Sequence, residues 1–348
     1  MIFQIIYSLI RNSIWGCSED PLVMEEIGHN SGAGNIIGIQ PYMEPKDYGN
    51  EREFYEKLGS YIENASKKGW INEKTIVVFP EYIGTWLVMA NESNMEFKSV
   101  IFVKEVLAAI FSHLGSGVEG ILQQKSKTMV RIYDNVFSGL AKKYRITLVA
   151  GSIVLPSPVV KEGKLTIGSV PLYNVTVVYQ PDGTPYENIV KKVQLIPIEK
   201  PFTTSGCLET QPVFDTPVGK LGILICFASC FHENYQHLKK KEARIIVSPA
   251  FFPAPDIMDT KWNGFHGMIP ENADLEDLKR ISYGEAWIKY GLGGGVKTTG
   301  ARYGMNVFFR GNFFGYIFDG ATIVIRGQEV MRTKRINGAS ITNLWLEV

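Results

Sequence analysis

The sequence predicts an α/β protein in which mixed β-sheets lie between layers of helices. Short apolar runs rich in β-branched residues, such as 75–79 and 221–225, predict buried strands. Segments 50–68 and 128–144 predict helices, the first with apolar side chains along one face. Some predicted strands follow one another directly while others alternate with helices. This order favours mixed sheets over a doubly wound parallel sheet.

The composition is typical of a globular protein with a sizeable core. The 348 residues suffice for one large domain or two, and 45% of them are hydrophobic against 20% charged. The net charge of +1 provides no strong field for nucleic acid or for an anionic membrane. We therefore expect neither as a partner.

The cysteine and histidine content predicts neither a disulfide framework nor a metal site. Four cysteines are scattered along the chain without a C-x-x-C pair, and five histidines show no close spacing. We therefore expect no metal, no cofactor and a reducing, cytoplasmic setting.

The N-terminal region is predicted to lie outside the main domain. Residues 1–10 are apolar but too few to span a bilayer, and no basic residue precedes them as in a signal peptide. We expect them to pack on the body of the protein or on a partner subunit, without a stable membrane anchor. Residues 18–35 are polar and glycine-rich, which predicts a linker.

Four further segments have patterns that predict local structure. Residues 94–122 are unusually apolar and predict one or two buried helices over a pocket, and 189–195 predict a strand that contains Lys191 and Lys192. The glycine run 293–295 predicts a mobile loop. Residues 231–241 predict a helix after the strand 221–225.

Cys226 lies between that strand and that helix, a position suited to a nucleophile. Helix amides near a cysteine lower the pKa of the thiol, and the backbone N–H that follows it can face an oxyanion. The alternative is a buried structural cysteine, since free cysteine is among the most buried residue types.

Two other ionisable residues accompany predicted strands. Glu81 follows 75–79, and Lys192 lies within 189–195. Taken alone, Glu81 can cap a helix and Lys192 can lie on a solvated edge. Together with Cys226 they form a coherent set, because a carboxylate can accept the thiol proton and an ammonium group can stabilise an oxyanion.

The order of short motifs along the chain resembles the nitrilase (carbon–nitrogen hydrolase) superfamily. The three central motifs are Phe79-Pro80-Glu81, Lys192-Val193-Gln194-Leu195 and Ile225-Cys226-Phe227. Segment 140–152 is similar to the family's helix, strand and Gly-Ser turn, and segment 312–322 is similar to its C-terminal pattern. Each motif is weak alone, but their common order makes the resemblance specific.

The resemblance implies a four-layer α-β-β-α sandwich with two mixed sheets. It implies Glu81 as general base, Lys192 as oxyanion stabiliser, Cys226 as nucleophile and the Phe227 N–H as a further oxyanion donor. It also implies a hydrolase without cofactor that forms homodimers or larger homo-oligomers. Its extent predicts a domain over 35–327, with 1–34 as extension and linker and 328–348 as a C-terminal strand and tail.

Some positions depart from the family pattern. Glu199 resembles a second family glutamate with one residue deleted, and a surface loop carboxylate is its alternative. Ala228 replaces the usual acidic residue, and the family's Arg/Glu segment is not recognisable around 300–304. Cys230, inside the predicted helix, is expected to be a packed bystander.

The sequence therefore predicts an amidase that cleaves a non-peptide carboxamide through a cysteine thioester and releases ammonia or an amine. A nitrilase and an N-acyltransferase with the same triad remain alternatives. A nitrilase-like binding or scaffold protein without turnover is a third, since the departures at Ala228 and 300–304 would suit one.

Overall fold

A computed structural model of the protein describes residues 21–91, 117–254, 256–265 and 267–347. The α-helices are α1 Glu51–Lys67, α2 Val118–Tyr144, α3 His232–Lys240, α4 Tyr283–Tyr290 and α5 Leu292–Val296. The strands are β1 Val23–Ile27, β2 Asn35–Gln40, β3 Tyr42–Met43, β4 Thr75–Val78, β5 Thr147–Val149, β6 Ile153–Pro156, β7 Val159–Lys161, β8 Lys164–Thr166, β9 Leu172–Thr176, β10 Val178–Tyr179, β11 Val190–Lys191, β12 Val213–Thr216, β13 Gly219–Ile223, β14 Ile245–Ala250, β15 Tyr303–Phe308, β16 Arg310–Phe313, β17 Tyr316–Phe318, β18 Ile323–Arg326, β19 Glu329–Arg332 and β20 Ser340–Trp345. Short 3₁₀ helices include Pro45–Tyr48, Thr85–Met89 and Cys226–Cys230.

Two six-stranded mixed sheets form the centre of the molecule. The first has the strand order β1-β20-β2-β4-β5-β10 and the second the order β12-β13-β14-β15-β18-β19. The inner pairs β2–β4, β4–β5, β13–β14 and β14–β15 are parallel, whereas the pairs β5–β10 and β12–β13 are antiparallel. Mixed pairing is thus confirmed in both sheets.

Alternation along the strands produces the predicted four layers. On β4, Val77 packs in the cluster that contains α1 and α2, while Ile76 and Val78 pack in the cluster that contains the second sheet. On the far side, Leu238 of α3 lies against Gly222 of β13. The order of layers is therefore helices, sheet, sheet, helices.

Local sequence explains where α1 begins and which face it buries. The side chain of Asn50 accepts a hydrogen bond of 3.0 Å from the Glu53 N–H, which caps the helix. Phe54, Leu58 and Ile62 recur at helical spacing and are fully buried. No helix in the described ranges is long and apolar enough to cross a bilayer.

The structure corrects two predictions about irregular segments. Part of the segment predicted as a linker forms β1, the edge strand that pairs with β20. The sequence did not predict this strand because an edge strand keeps one side in solvent and can therefore contain polar residues. The glycine run lies in α5 rather than in a mobile loop. A Cβ on Gly295 would lie 2.0 Å from the Tyr235 ring, so glycine here permits close packing of α5.

Three further expectations concern segments near the site or outside the described residues. The strand expected at 189–195 is only Val190–Lys191, and Lys192 follows it. The expected helix at 231–241 is α3, and the 3₁₀ helix Cys226–Cys230 precedes it. The predicted apolar helices over 94–122 lie mostly outside the described residues, as does the apolar segment 1–10; residues 118–122 form the start of α2.

A turn between β5 and β6 supports the loop that follows β4. The Ser152 N–H donates to the Pro80 carbonyl at 3.2 Å, and the Ser152 hydroxyl accepts from the Tyr82 N–H at 2.8 Å. Gly151 allows this approach, because its φ is +63° and a Cβ there would lie 2.1 Å from the Pro80 oxygen. The turn therefore fixes the backbone on both sides of Glu81.

We predict that Gly151→Ala lowers the free energy of unfolding by about 2–4 kcal/mol. Alanine is strained in the left-handed conformation of this residue, and its Cβ would also clash with the Pro80 carbonyl oxygen. Gly120→Ala is the matched control. Gly120 is an exposed residue of α2 with no neighbour near its Cβ position, so alanine should leave stability unchanged or raise it by up to about 1 kcal/mol. Denaturant unfolding measures both, and equal stability of the two variants would contradict this account of the turn.

Candidate active site

Three strands from three sheets end near one point and place the three predicted residues there. Glu81 follows β4 of the first sheet, Lys192 follows β11 of a three-stranded sheet, and Cys226 follows β13 of the second sheet. Their exposed fractions are 1%, 2% and 3%. The structure thus brings Glu81, Lys192 and Cys226 together in the interior.

The ammonium group of Lys192 lies between two carboxyl groups. Its Nζ atom is 2.9 Å from Oε1 of Glu81 and 2.8 Å from Oε1 of Glu199. A buried charge is costly unless it is paired, and here each carboxyl group accepts a hydrogen bond from the ammonium. Two of the three N–H donors of Lys192 are thereby accounted for, and one remains for another acceptor.

Glu199 is not the surface carboxylate that the sequence left as an alternative. Its exposed fraction is 1%, and the Ile196 N–H donates to Oε2 at 2.9 Å. The hydroxyl of Tyr82 donates to Oε1, the same oxygen that accepts from Lys192. The loop after β11 therefore folds back so that Glu199 contacts the ammonium group, as Glu81 does from the loop after β4.

Sequence analysis missed the part that Asn174 plays in this cluster. Its Nδ2 atom donates to Oε1 of Glu81 at 2.9 Å and approaches Oε1 of Glu199 at 3.4 Å. Its backbone carbonyl accepts from the Lys192 N–H at 2.9 Å. An amide in the middle of a predicted strand was the available signal, since a fully buried asparagine needs polar partners.

Cys226 contacts this cluster through its thiol. The thiol donates a hydrogen bond of 3.7 Å to the Phe251 carbonyl oxygen, and it lies near enough to the Glu81 carboxyl group for each to affect the pKa of the other. The residue has a φ of +50°, which is uncommon outside glycine and marks a tight turn at the end of the strand. This turn separates β13 from the 3₁₀ helix and directs the thiol towards Glu81.

The ionisation of the cluster differs in one respect from expectation. Burial, followed by the nearby Glu81 carboxyl group, raises the pKa of Cys226 well above its ordinary value. The predicted lowering by helix amides is therefore wrong, because removal of water outweighs the dipoles of a short 3₁₀ turn. The thiol is protonated at neutral pH.

The pKa values of the charged pair are shifted by burial and by each other. Burial raises the pKa of Glu81 from 4.5 to about 6, although the Lys192 ammonium opposes this shift. For Lys192, burial lowers the pKa, but Glu199 and Glu81 more than offset it, so that its pKa lies above its ordinary value. At neutral pH the site thus contains a carboxylate base, an ammonium group and a neutral thiol.

A cavity of about 50 Å³ opens beside the cluster. One water molecule needs roughly 10–15 Å³ measured in this way, so the cavity has room for several non-hydrogen atoms. Glu81, Lys192, Glu199 and Cys226 all line it, and most of its remaining lining is apolar. A small substrate in this cavity would contact all four groups.

Phe227 and Cys230 lie in the same 3₁₀ helix as Cys226. The first hydrogen bond of this helix runs from the Ala228 N–H to the Ile225 carbonyl, at 3.1 Å. The Phe227 N–H lies one residue earlier, among the first N–H groups of the helix, which have no acceptor within the helix. Cys230 is the last residue of this helix, and burial raises the pKa of its thiol. Cys230 is not among the residues that line the cavity.

The described residues contain no cluster of three or more histidine, cysteine, aspartate or glutamate side chains suited to a metal ion. The three cysteines in these ranges are free thiols, with Cys226 and Cys230 buried and Cys207 exposed.

Solved structures with this fold include an amidase and a carbon-nitrogen hydrolase. An amidase variant from Nesterenkonia sp. AN1, which shows the result of Michael addition of acrylamide at its active site cysteine, matches with a TM-score of 0.58 and 15% identity over 90% of this chain and 93% of its own. A carbon-nitrogen hydrolase from Helicobacter pylori matches with a TM-score of 0.55 and 19% identity, over 89% of each chain. Both share the four-layer fold.

Curated relatives match over shorter stretches. A probable hydrolase of Bacillus subtilis is 26% identical over 179 residues, which is 51% of this chain and 32% of the relative. An omega-amidase of Xenopus tropicalis is 36% identical over 124 residues, which is 33% of this chain and 40% of the relative. The matches thus span well under half of either relative.

The family model covers the described site most fully. The model of the carbon-nitrogen hydrolase family matches residues 37–268, which include Glu81, Lys192, Glu199 and Cys226. The matched range covers most of the chain, and the observed fold is consistent with this family. The chain therefore belongs to the carbon–nitrogen hydrolase (nitrilase) superfamily, as its motifs predicted.

Proposed function

We propose that the protein is an amidase that hydrolyses a non-peptide carboxamide through a thioester on Cys226. The observation that carries this proposal is the burial of Cys226, Glu81 and Lys192 around one cavity, with the Glu81 carboxyl group held 2.9 Å from the Lys192 ammonium. These groups face a cavity of substrate size. The similarity to omega-amidases and to amidase structures supports the amide as substrate.

Acylation begins when Sγ of Cys226 bonds to the amide carbon and its proton passes to Glu81. The carbonyl oxygen becomes an oxyanion, which the third N–H of Lys192 and the Phe227 N–H stabilise. When the C–N bond breaks, Glu81 returns the proton to the leaving nitrogen. Ammonia or an amine departs, and a thioester remains.

Deacylation uses the same groups with water in place of the thiol. Glu81 accepts a proton from the water as its oxygen bonds to the thioester carbon. The C–S bond then breaks, and the proton passes from Glu81 to the Cys226 sulfur. The products are a carboxylic acid and the enzyme in its original protonation state.

The two shifted pKa values suit this cycle. Because the Cys226 thiol is neutral at rest, the nucleophile forms only when Glu81 takes the proton during attack. Glu81, with a pKa of about 6, is ionised at neutral pH and still basic enough to accept that proton. Phe227-Ala228 after the cysteine distinguishes this chain from nitrilases, whose pattern is Trp-Glu at these places, and we therefore favour an amide over a nitrile.

We predict that Cys226→Ala abolishes turnover. Wild-type protein incubated with a series of primary carboxamides should release ammonia, and acid quenching should trap an acyl adduct on Cys226 visible by intact-protein mass spectrometry. Acrylamide, which adds to the cysteine of the Nesterenkonia amidase variant, should label Cys226 as well. Cys230→Ala is the matched control, because it removes a buried thiol of the same 3₁₀ helix that lies outside the cavity lining. It should retain the adduct and the ammonia release.

An inert Cys226 in folded wild-type protein, with neither adduct nor ammonia, would contradict the proposal. The fold would then serve as a binding platform rather than an enzyme. Ammonia release that persists in Cys226→Ala would instead show turnover by another nucleophile.

We predict that activity falls as the pH drops through about 6. Protonation of Glu81, whose pKa burial raises to about 6, removes the base that accepts the thiol proton. Below that pH, kcat/KM should fall about tenfold per pH unit, and it should be level between neutral pH and about pH 8. A midpoint near 4.5, the ordinary value for glutamate, would show that burial does not tune this base.

We predict different effects from two neighbouring lysines. Lys192→Met leaves two buried carboxyl groups without their cation, so it should lower the free energy of unfolding by about 3–5 kcal/mol and kcat/KM by about 100-fold or more. Lys191→Met is the control: Lys191 is half-buried, and its Nζ lies 4.3 Å from the Tyr173 ring centroid. It should cost at most about 1 kcal/mol and leave kcat/KM within about twofold. Denaturant unfolding and initial rates separate the two effects, and a folded Lys192→Met variant with wild-type kcat/KM would remove Lys192 from the mechanism.

A further inference from the structure

The wall of the cavity away from the catalytic cluster consists of apolar side chains from several elements. Two come from the segments around the 3₁₀ helix Thr85–Met89 and the start of α2, three from the loop after β11, and one from the end of β14. These residues are Trp86, Leu122, Ile196, Ile198, Phe202 and Phe251. An acyl group bound to Cys226 would therefore extend among hydrocarbon and aromatic surfaces.

Among the described lining residues, Lys192 is the sole cation, and its charge is already balanced. Two carboxyl groups lie 2.9 and 2.8 Å from its Nζ atom, so two acidic groups oppose one ammonium group. Its remaining N–H is needed for the oxyanion in the proposed mechanism. No positive charge is left over in this lining to pair with an anionic group on a substrate.

We propose that the amide substrate carries an uncharged, apolar acyl group, and that this site excludes monoamides of dicarboxylic acids. The inference deepens the proposed amidase function and rests on it. Transfer of a carboxylate from water into this cavity would leave it unpaired beside the two acidic groups, which is strongly unfavourable. Transfer of a hydrocarbon chain of the same size is favourable, by about 0.8 kcal/mol for each buried CH₂.

One polar atom of the wall lacks a partner, and it does not alter this conclusion. Nε1 of Trp86 is buried without a hydrogen-bond acceptor among the described residues. An indole N–H can donate one hydrogen bond to a neutral acceptor on an acyl chain. It supplies no charge, so it does not offset the burial of a carboxylate.

A pair of amides with the same shape tests the inference directly. Succinamate ends in a carboxylate, and 4-methylpentanamide carries an isopropyl group at the same place on the same two-carbon chain. At neutral pH, kcat/KM for 4-methylpentanamide should exceed that for succinamate by about 100-fold or more, because only the charge differs. Equal rates, or a preference for succinamate, would overturn the inference while leaving the amidase function intact.

The same two amides test the inference even if the protein hydrolyses neither of them. Each compound is then compared as a protectant of Cys226 against alkylation by iodoacetamide, followed by mass spectrometry. Protection by 4-methylpentanamide alone supports the apolar site even though the proposed amidase function fails. Protection by succinamate, or by neither compound, overturns the inference.

A variant in the wall provides a second, independent arm. Ile198 is half-buried, so an arginine there can reach the cavity while its stem stays in contact with the loop. Ile198→Arg should raise the ratio of succinamate to 4-methylpentanamide turnover, or of their protection, by at least about tenfold. Ile198→Met, of similar length and without charge, should retain the preference for the neutral amide. A ratio that arginine does not change would show that charge in this wall does not determine the substrate.

Discussion

The structure of the site depends on the buried ammonium group of Lys192. A lysine that is 2% exposed is stable only when opposite charges surround it, and Glu81 and Glu199 supply them at 2.9 and 2.8 Å. The carboxyl groups in turn need donors, which explains why Asn174 and Tyr82 lie against them. The cluster is therefore a connected network in which the carboxyl groups of Glu81 and Glu199 accept hydrogen bonds from Lys192, Asn174 and Tyr82.

The same burial that makes this network necessary also determines the state of the nucleophile. Removal of water raises the pKa of Cys226 more than the nearby ammonium lowers it. The thiol consequently keeps its proton, and Glu81 lies near enough to accept it in the mechanism proposed above. A thiol held neutral in this way is protected from adventitious oxidation, since the thiolate is the reactive form.

Sequence predicted the family, the layer order and the three central residues, because those depend on local patterns in a fixed order. It failed where the outcome depends on contacts between distant segments. The pKa of Cys226 follows from burial by both sheets, and the position of Glu199 follows from a loop that folds back on Lys192. Asn174 looked like any polar strand residue until its partners were known. The sequence did not predict strand β1 for a local reason: an edge strand tolerates polar residues, so its sequence resembles that of a linker.

The placement of the cluster links the chemistry to the packing of the whole sandwich. Glu81 comes from the first six-stranded sheet, Cys226 from the second and Lys192 from a third, smaller sheet. None of these sheets carries the network alone, so the ion pairs and the thiol contact form only when the sheets pack together. Each unpaired member would be costly to bury, and the network thus favours one relative position of the two large sheets. The constraint acts in both directions: the sandwich brings Glu81, Lys192 and Cys226 together, and the ion pairs of Lys192 in turn favour that packing of the layers.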